Sequence, residues 1–249
     1  MSHTRIIPPK PAMILDGQKK SMIITDIHIG FESALAANGV FLGKNSTINS
    51  TVSELTEMIR AEKPKDVILL GDVKSSIRSI TRQEWNDVPF FFESIQKLCG
   101  IVLIPGNHDA NIQRLAPDGI TMISPAGMIE EDILLTHGHV MPSENFAHVN
   151  RIIMGHIHPV FFEEGSVLNG QPVWVLMKVD KQDIFPGRSG SLTITIMPSF
   201  NRYFHATHKK RYRRSISPII ERVKDRASAI VTTLDGIVIG DESILGHVL

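Results

Sequence analysis

The sequence predicts an α/β protein built on two packed sheets, and three observations carry the prediction. As far as Ile104, short β-branched runs alternate with amphipathic helical stretches, the order that lays down a parallel sheet. Beyond Asp109 the pattern changes to alternating strands closed by turn signals, which places a second sheet against the first rather than a separate domain. Five apolar runs stop abruptly at His, Asp or Asn, and ligands of parallel sheets collect beyond the carboxyl ends of the strands.

Residues 1–20 read as a short proline-rich lead-in through Pro8, Pro9 and Pro11, with a first strand at 12–15 and an Asp16-Gly17 turn into a strand at 21–25. Side chains alternate in an extended segment, so Asp26 and His28 should aim a carboxylate and an imidazole at one point. From 45 to 62, Ile48, Val52, Leu55 and Ile59 recur at helical spacing, with Asn45 or Ser46 as the cap and Pro64 just past the end. A strand at 66–70 runs into Gly71-Asp72. Thr81 and Glu84 form a capping box that opens an amphipathic stretch through Trp85, Val88, Phe92, Ile95 and Leu98, which Pro89 is expected to kink or divide. The strand at 101–104 halts at Pro105-Gly106 and delivers Asn107, His108 and Asp109.

In the second half, Glu130-Glu131-Asp132 marks a turn ahead of a strand ending at His137-Gly138-His139, and a strand at 152–154 leads to Gly155-His156-Ile157-His158. Val173, Val175, Met177 and Val179 alternate with Trp174, Leu176 and Lys178, and Leu192, Ile194 and Ile196 alternate with threonines. Asp235-Gly236 is a hairpin signal within 229–239.

At 249 residues and 42% hydrophobic content, the chain is long enough for an adequate core and reads as one domain over 1–249. Basic and acidic side chains number 26 each, leaving no global field to draw the protein onto nucleic acid or an anionic membrane; any basic surface must be local. The single cysteine, Cys99, excludes an intrachain disulfide, suits a reducing compartment and reads as a buried structural thiol. The amino terminus lacks the apolar core of a signal peptide, and no apolar stretch is long enough to span a bilayer, so a cytoplasmic location is expected.

Six of the eleven histidines (His28, His108, His137, His139, His156 and His158) follow buried-looking strands, in company with Asp26, Asp72 and Asn107. Any one of them alone would be an ordinary hydrogen-bonded loop residue. Together they form a mixed oxygen and nitrogen set too large for one tetrahedral zinc and suited to two divalent ions sharing a ligand.

In this order, Asp26-x-His28, Gly71-Asp72, Gly106-Asn107-His108-Asp109, His137-Gly138-His139 and Gly155-His156-x-His158 resemble the five signature motifs of the calcineurin-like metallophosphoesterases. Gly71-Asp72-Val73-Lys74, Gly155-His156-Ile157-His158-Pro159 and Pro198-Ser199-Phe200-Asn201 are similar to a group of archaeal and bacterial phosphoesterases related to the SbcD and Mre11 nucleases. The resemblance implies a four-layer αββα sandwich of two mixed sheets flanked by helices. It implies one metal held by Asp26, His28, Asp72 and His158, and a second by Asp72, Asn107, His137 and His156, with Asp72 as the bridge. His108 would face the scissile phosphate and Asp109 would orient it. His139 reads equally as a substrate or supporting contact and as a structural hydrogen bond. Two divalent ions are expected, Mn2+ first, with Fe2+ and Zn2+ left open by the ligand types.

The function implied is metal-dependent phosphoesterase activity through metal-activated hydroxide, on a phosphodiester, with nucleic acid among the candidates. Two alternatives stand beside it: a nucleotide or small-molecule phosphomonoesterase, and a protein-binding scaffold without catalysis. One departure bears on the choice. The related nucleases carry a histidine three residues after the bridging aspartate, where this chain has Ser75. Lys74 offers a phosphate contact there, against the plainer reading of a solvated lysine. A basic segment at 202–216 contributes Arg202, Lys209, Lys210, Arg211, Arg213 and Arg214 with Tyr203, Phe204 and Tyr212 interleaved; it suits a DNA or RNA backbone, or is simply a solvated loop.

Overall fold

The computed structural model describes residues 2–37, 39, 47–203 and 217–249. The chain opens with a hairpin, β1 (His3–Ile7) and β2 (Lys10–Asp16), so the proline-rich lead-in is itself a strand; Pro8 and Pro9 sit in its turn, where missing N–H groups cost no ladder bond. The Asp16-Gly17 turn then reverses into β3 (Lys20–Ile24) as expected. A short helix the periodicity did not announce, α1 (Phe31–Ala37), precedes α2 (Thr47–Glu62), whose Ile48, Leu55 and Ile59 are buried; Asn45 and Ser46, its expected caps, lie outside the described residues.

β4 (Asp66–Leu69), α3 (Arg82–Gln96) and β5 (Gly100–Leu103) follow the predicted alternation. Thr81 and Glu84 close the capping box at the start of α3. Pro89 does not divide this helix, which runs unbroken to Gln96. Val88, Phe91, Phe92 and Ile95 are buried along its inner face, and that packing outweighs one missing N–H. Cys99, just beyond, is half-buried rather than enclosed, and burial pushes its thiol up to about 11. With β6 (Thr121–Met122), these strands make a six-stranded sheet in the order β1-β2-β3-β4-β5-β6, parallel from β3 onward.

The second sheet begins with the hairpin of β7 (Met128–Glu130) and β8 (Ile133–Thr136), then β9 (Arg151–Met154) parallel to β8. β10 (Val160–Phe161) pairs with the start of β11 (Gln171–Asp180), which is followed by β12 (Ser191–Ile196). Pro218 occupies the first turn of α4 (Pro218–Val223), where its absent N–H is harmless. β13 (Ser228–Thr233) and β14 (Val238–Asp241) form a hairpin around Asp235-Gly236, and a 3-10 turn at Glu242–His247 follows. The strand order is β14-β13-β11-β12-β9-β8-β7.

The period-2 alternation of side chains sorts three hydrophobic layers. Met22, Ile24, Val67, Leu69, Ile101 and Leu103 pack against α2 and α3. Their neighbours Ile23, Ile68, Leu70 and Ile104 turn the other way, onto Ile133, Leu135, Ile153, Trp174 and Met197 of the second sheet. Leu134, Ile152, Val175, Met177 and Ile194 face outward to α4. Two mixed sheets back to back between helices make the four-layer αββα sandwich. No described helix is long and apolar enough to cross a membrane.

Candidate metal centre

Five strands in two sheets, β3, β4 and β5 in the first and β8 and β9 in the second, point their carboxyl ends the same way, and the loops leaving them meet. The loops are stitched together by backbone bonds. Asp26 N–H donates to Gly71 O at 3.1 Å, His28 N–H to Asp72 O at 2.9 Å, and Gly155 N–H to His137 O at 3.1 Å. Between the sheets, His156 N–H donates to Asp26 Oδ2 at 3.0 Å.

These loops bring the expected ligands together in two groups. Asp26, His28, Asp72 and His158 form one, and Asp72, His137 and His156 the other, each with donor atoms within 4.8 Å of one another. Asp72 belongs to both: its Oδ2 lies 3.8 Å from His28 Nε2 and 3.3 Å from His137 Nε2. Asn107 joins the second group, with Oδ1 3.2 Å from His137 Nε2.

The route to this convergence differs from the expected one. Asp26 and His28 lie past the end of β3 and are not extended; their φ angles are +57° and +48°. Among the described residues eight non-glycine residues have positive φ, and five of them are Asp26, His28, Asp72, His156 and His158. Such conformations cost on the order of 1–3 kcal/mol each and persist where surrounding bonds over-determine them. Here Ser199 Oγ donates to Asp26 O at 2.8 Å and Asn201 Nδ2 to Ile27 O at 3.0 Å, so the 199–201 segment after β12 braces the Asp26 loop.

The donor set fits divalent cations. His28 Nε2 faces His158 Nε2 at 3.3 Å, His156 Nδ1 faces His137 Nε2 at 3.2 Å, and Asp26 Oδ1 lies 2.9 Å from His158 Nε2. With metal–ligand bonds of about 2.0–2.2 Å, adjacent ligands around one ion stand about 3–3.5 Å apart, the spacing of these facing nitrogens and oxygens. His137 Nδ1 donates to Leu70 O at 2.6 Å, which leaves Nε2 with its lone pair toward the centre. Burial and the neighbouring His137 hold His156 down at about 4, and burial likewise holds His28 well below its usual value, so both rings are neutral and ready to ligate. Burial would raise Asp26, but His158 and His137 bring its carboxyl down to about 2. On His137 burial is overcome by Asp72 and Asp26, and its value rises to about 9. Two buried carboxylates thus call for positive charge that a proton supplies when no cation does.

His108 lies beside the ligands, with its ring edge-on to His28 at 4.9 Å and Nε2 4.0 Å from Asp72 Oδ2. Its Nδ1 contacts the carbonyl of Ser75, and since a carbonyl only accepts, Nδ1 is protonated and donates. Asp109 therefore does not orient His108 as expected. Its carboxylate accepts from Val73 N–H at 2.9 Å, Lys74 N–H at 3.3 Å and Gly106 N–H at 2.9 Å, tying the Asp72 loop to the Asn107 loop. Lys74 is not the solvated or phosphate-facing lysine expected: it is fully buried, with Nζ donating to Ser76 O. His139 lies beside the second group, its ring tilted against that of His137 with centroids 5.3 Å apart, and its Nδ1 has no partner among the described residues. Side-chain reading missed the backbone carbonyls of Leu70 and Ser75, which no residue type announces.

Of the basic segment, Arg202 and Tyr203 are described and exposed; Lys209, Lys210, Arg211, Arg213 and Arg214 lie outside the described residues. Arg202 is paired with Glu54 at 2.5 Å. Ser217, where the description resumes, donates its hydroxyl to Gly138 O at 2.7 Å, between His137 and His139.

A sequence profile of the calcineurin-like phosphoesterases matches residues 19–179, well over half of the chain. The chain belongs to that family. It is accordingly a metal-dependent hydrolase acting on phosphate esters. No functionally curated protein matches the chain. Among solved structures, the Pseudomonas putida nuclease MPE is similar over 95% of this chain and 98% of its own, at 18% identity and a TM-score of 0.51. The E. coli phosphoesterase Yfce is similar over 90% of this chain and 98% of its own, at 16% identity and a TM-score of 0.40. The first of these shares the fold of this calcineurin-like phosphoesterase.

Proposed function

We propose that this protein hydrolyses phosphodiesters at a centre for two divalent ions, one held by Asp26, His28, Asp72 and His158 and the other by Asp72, Asn107, His137 and His156. The observation that carries this reading is the single oxygen, Asp72 Oδ2, facing imidazole nitrogens of both donor groups. Such ions, when bound, would supply Lewis acidity toward phosphate oxygens and toward water; Mn2+ is the first expectation, and the ligand types admit Fe2+ and Zn2+ as well. The chain's own residues do the rest. Asp72 Oδ1 accepts from His108 N–H at 2.8 Å, which sets the bridging carboxylate and the neighbouring backbone in one piece. With Nδ1–H donated to Ser75 O, His108 presents Nε2 to the centre; in its doubly protonated form the ring gives the Nε2 proton to the departing oxygen and returns to the neutral form with Nδ1–H still on Ser75. Departure of an alkoxide needs such a proton, from a diester as from a monoester.

The test measures bis-p-nitrophenyl phosphate and p-nitrophenyl phosphate with Mn2+, Fe2+ and Zn2+ in turn. The diester is expected to turn over faster, and His108→Ala to lose about 10²–10⁴-fold on an alkyl diester while metal content is retained. A faster monoester supports the phosphomonoesterase instead. No turnover with any cation supports the scaffold.

A polyanionic substrate is favoured by where the basic segment starts and ends. Asn201 is bonded to the Asp26 loop and Ser217 to the His137 loop, so the described residues on either side of the basic stretch both lie against loops of the metal centre. Replacing Lys209, Lys210, Arg211, Arg213 and Arg214 with neutral residues should weaken DNA binding and flatten its salt dependence, each lost phosphate contact lowering the slope by about 0.7–0.9. Unchanged retention across a salt series removes nucleic acid from this proposal.

A further inference from the structure

The turn at Ser75 and Ser76 is held at every backbone polar group it has. Ser75 N–H is shared between Ile29 O at 2.9 Å and Glu84 Oε1 at 3.0 Å, and Ser76 N–H donates to Glu84 Oε1 at 2.7 Å. Ser76 O accepts from Lys74 Nζ, and Ser75 O takes His108 Nδ1. A trans peptide is planar, so the carbonyl of Ser75 and the N–H of Ser76 point in opposite directions from one rigid plate. Whatever grips the N–H aims the carbonyl. Glu84 is that grip, from a side chain that is fully buried and that also accepts from Thr81 N–H at 2.7 Å through Oε2.

We propose that Glu84 is a positioning residue for the reaction: anchored in the first turn of α3, it sets the plane of the Ser75–Ser76 peptide, and through the Ser75 carbonyl, which takes Nδ1–H, the direction in which the His108 imidazole aims Nε2. Ser75 contributes to the site through its main chain. The Glu84 carboxylate stays ionised as it does so, because burial raises its pKa but the bonds from Ser76 and Thr81 lower it further than burial raises it. Lys74, buried beneath the turn, holds the next carbonyl and keeps the plate from tipping. The inference rests on the reading of His108 as the proton donor.

The experiment compares kcat and KM for two diesters, one with a p-nitrophenolate leaving group, which needs no proton, and one with an alkoxide leaving group, which does. Four variants are measured with metal content: Glu84→Ala, Glu84→Gln, Thr81→Ala and His108→Ala. Glu84→Ala should lower kcat on the alkyl diester about 10–100-fold, the scale of a misaligned catalytic group, with KM and p-nitrophenyl turnover little changed. Glu84→Gln keeps an oxygen for Ser75 and Ser76 and should restore most of the loss. Thr81→Ala removes the other half of the helix cap, since Glu84 N–H donates to Thr81 Oγ1 at 3.2 Å, and should leave both rates intact. Should Glu84→Ala fail to fold, Glu84→Asp carries the test, because its shorter arm stays near Thr81 and withdraws from Ser76. Equal losses on both diesters in the Glu84 variants, with His108→Ala still selective for the alkyl diester, overturn the positioning role. A His108→Ala variant that is not selective overturns the proton-donor reading and the inference with it.

Discussion

Gly155 shows how little room the centre leaves. A Cβ built there would lie inside van der Waals contact of Thr25 Oγ1 and Asp26 Oδ2, and one at Gly106 would strike Asp72 Oδ1 and Asp72 N. These glycines serve close approach: the loops of the two sheets come near enough for His156 N–H to reach Asp26 only because no side chain intervenes. Gly155→Ala should push the Asp26 and His156 loops apart by several tenths of an ångström or more. Metal content by mass spectrometry should fall, and kcat with it by about 10²-fold, the scale of a 1 Å misplacement. Full metal loading at wild-type rate would show that the contact relaxes harmlessly.

Among the elements, α3 carries two duties at opposite ends. Its amino-terminal turn grips the Ser75–Ser76 loop through Glu84, and its length presses Phe91 and Phe92 onto the first sheet, their rings 5.6 Å apart. Neither aromatic ring is exposed to solvent. Phe92→Ala should cost about 3–5 kcal/mol by lost transfer and an unfilled cavity, read as a lower denaturation midpoint. Because the loop clamp sits in the first turn, the folded fraction should keep its rate per active site. A matching loss in kcat per folded molecule would mean that the sheet face and the catalytic loop are coupled through the whole helix.

For the whole molecule, the centre is where the two sheets are tied to one another. Asp26 and Asp72 belong to the first sheet's loops and His137, His156 and His158 to the second's, and two buried carboxylates lie among them. Ions bound to the folded state alone stabilise it by mass action, about 2.7 kcal/mol at a concentration 100 times Kd. EDTA should therefore abolish turnover and lower the melting temperature by roughly 5–10 °C for a chain of this size. Added Mn2+ should reverse both. A melting temperature indifferent to chelator would separate the metal sites from the packing of the sandwich.

The amino-acid sequence by itself determined the layers and the cluster of candidate ligands. Continuous apolar runs such as 22–24 and 67–69 and the helical stripe of α2 are local patterns, and buried faces enforce them, so these strands, the longer helices and the five loop tips carrying Asp, Asn and His were legible. Tertiary structure decided what those tips do. The left-handed backbone at Asp26, His28, Asp72, His156 and His158 is unfavourable locally and exists only because bonds from distant segments, such as Ser199 and Asn201, hold it. The same holds for Pro89, kept within α3 by its packing, for Asp109, turned onto three amides, and for Lys74, enclosed beneath the Ser75 turn. Each depends on partners remote in the chain, and the energy of a long-range contact leaves no mark on the local pattern from which a sequence is read.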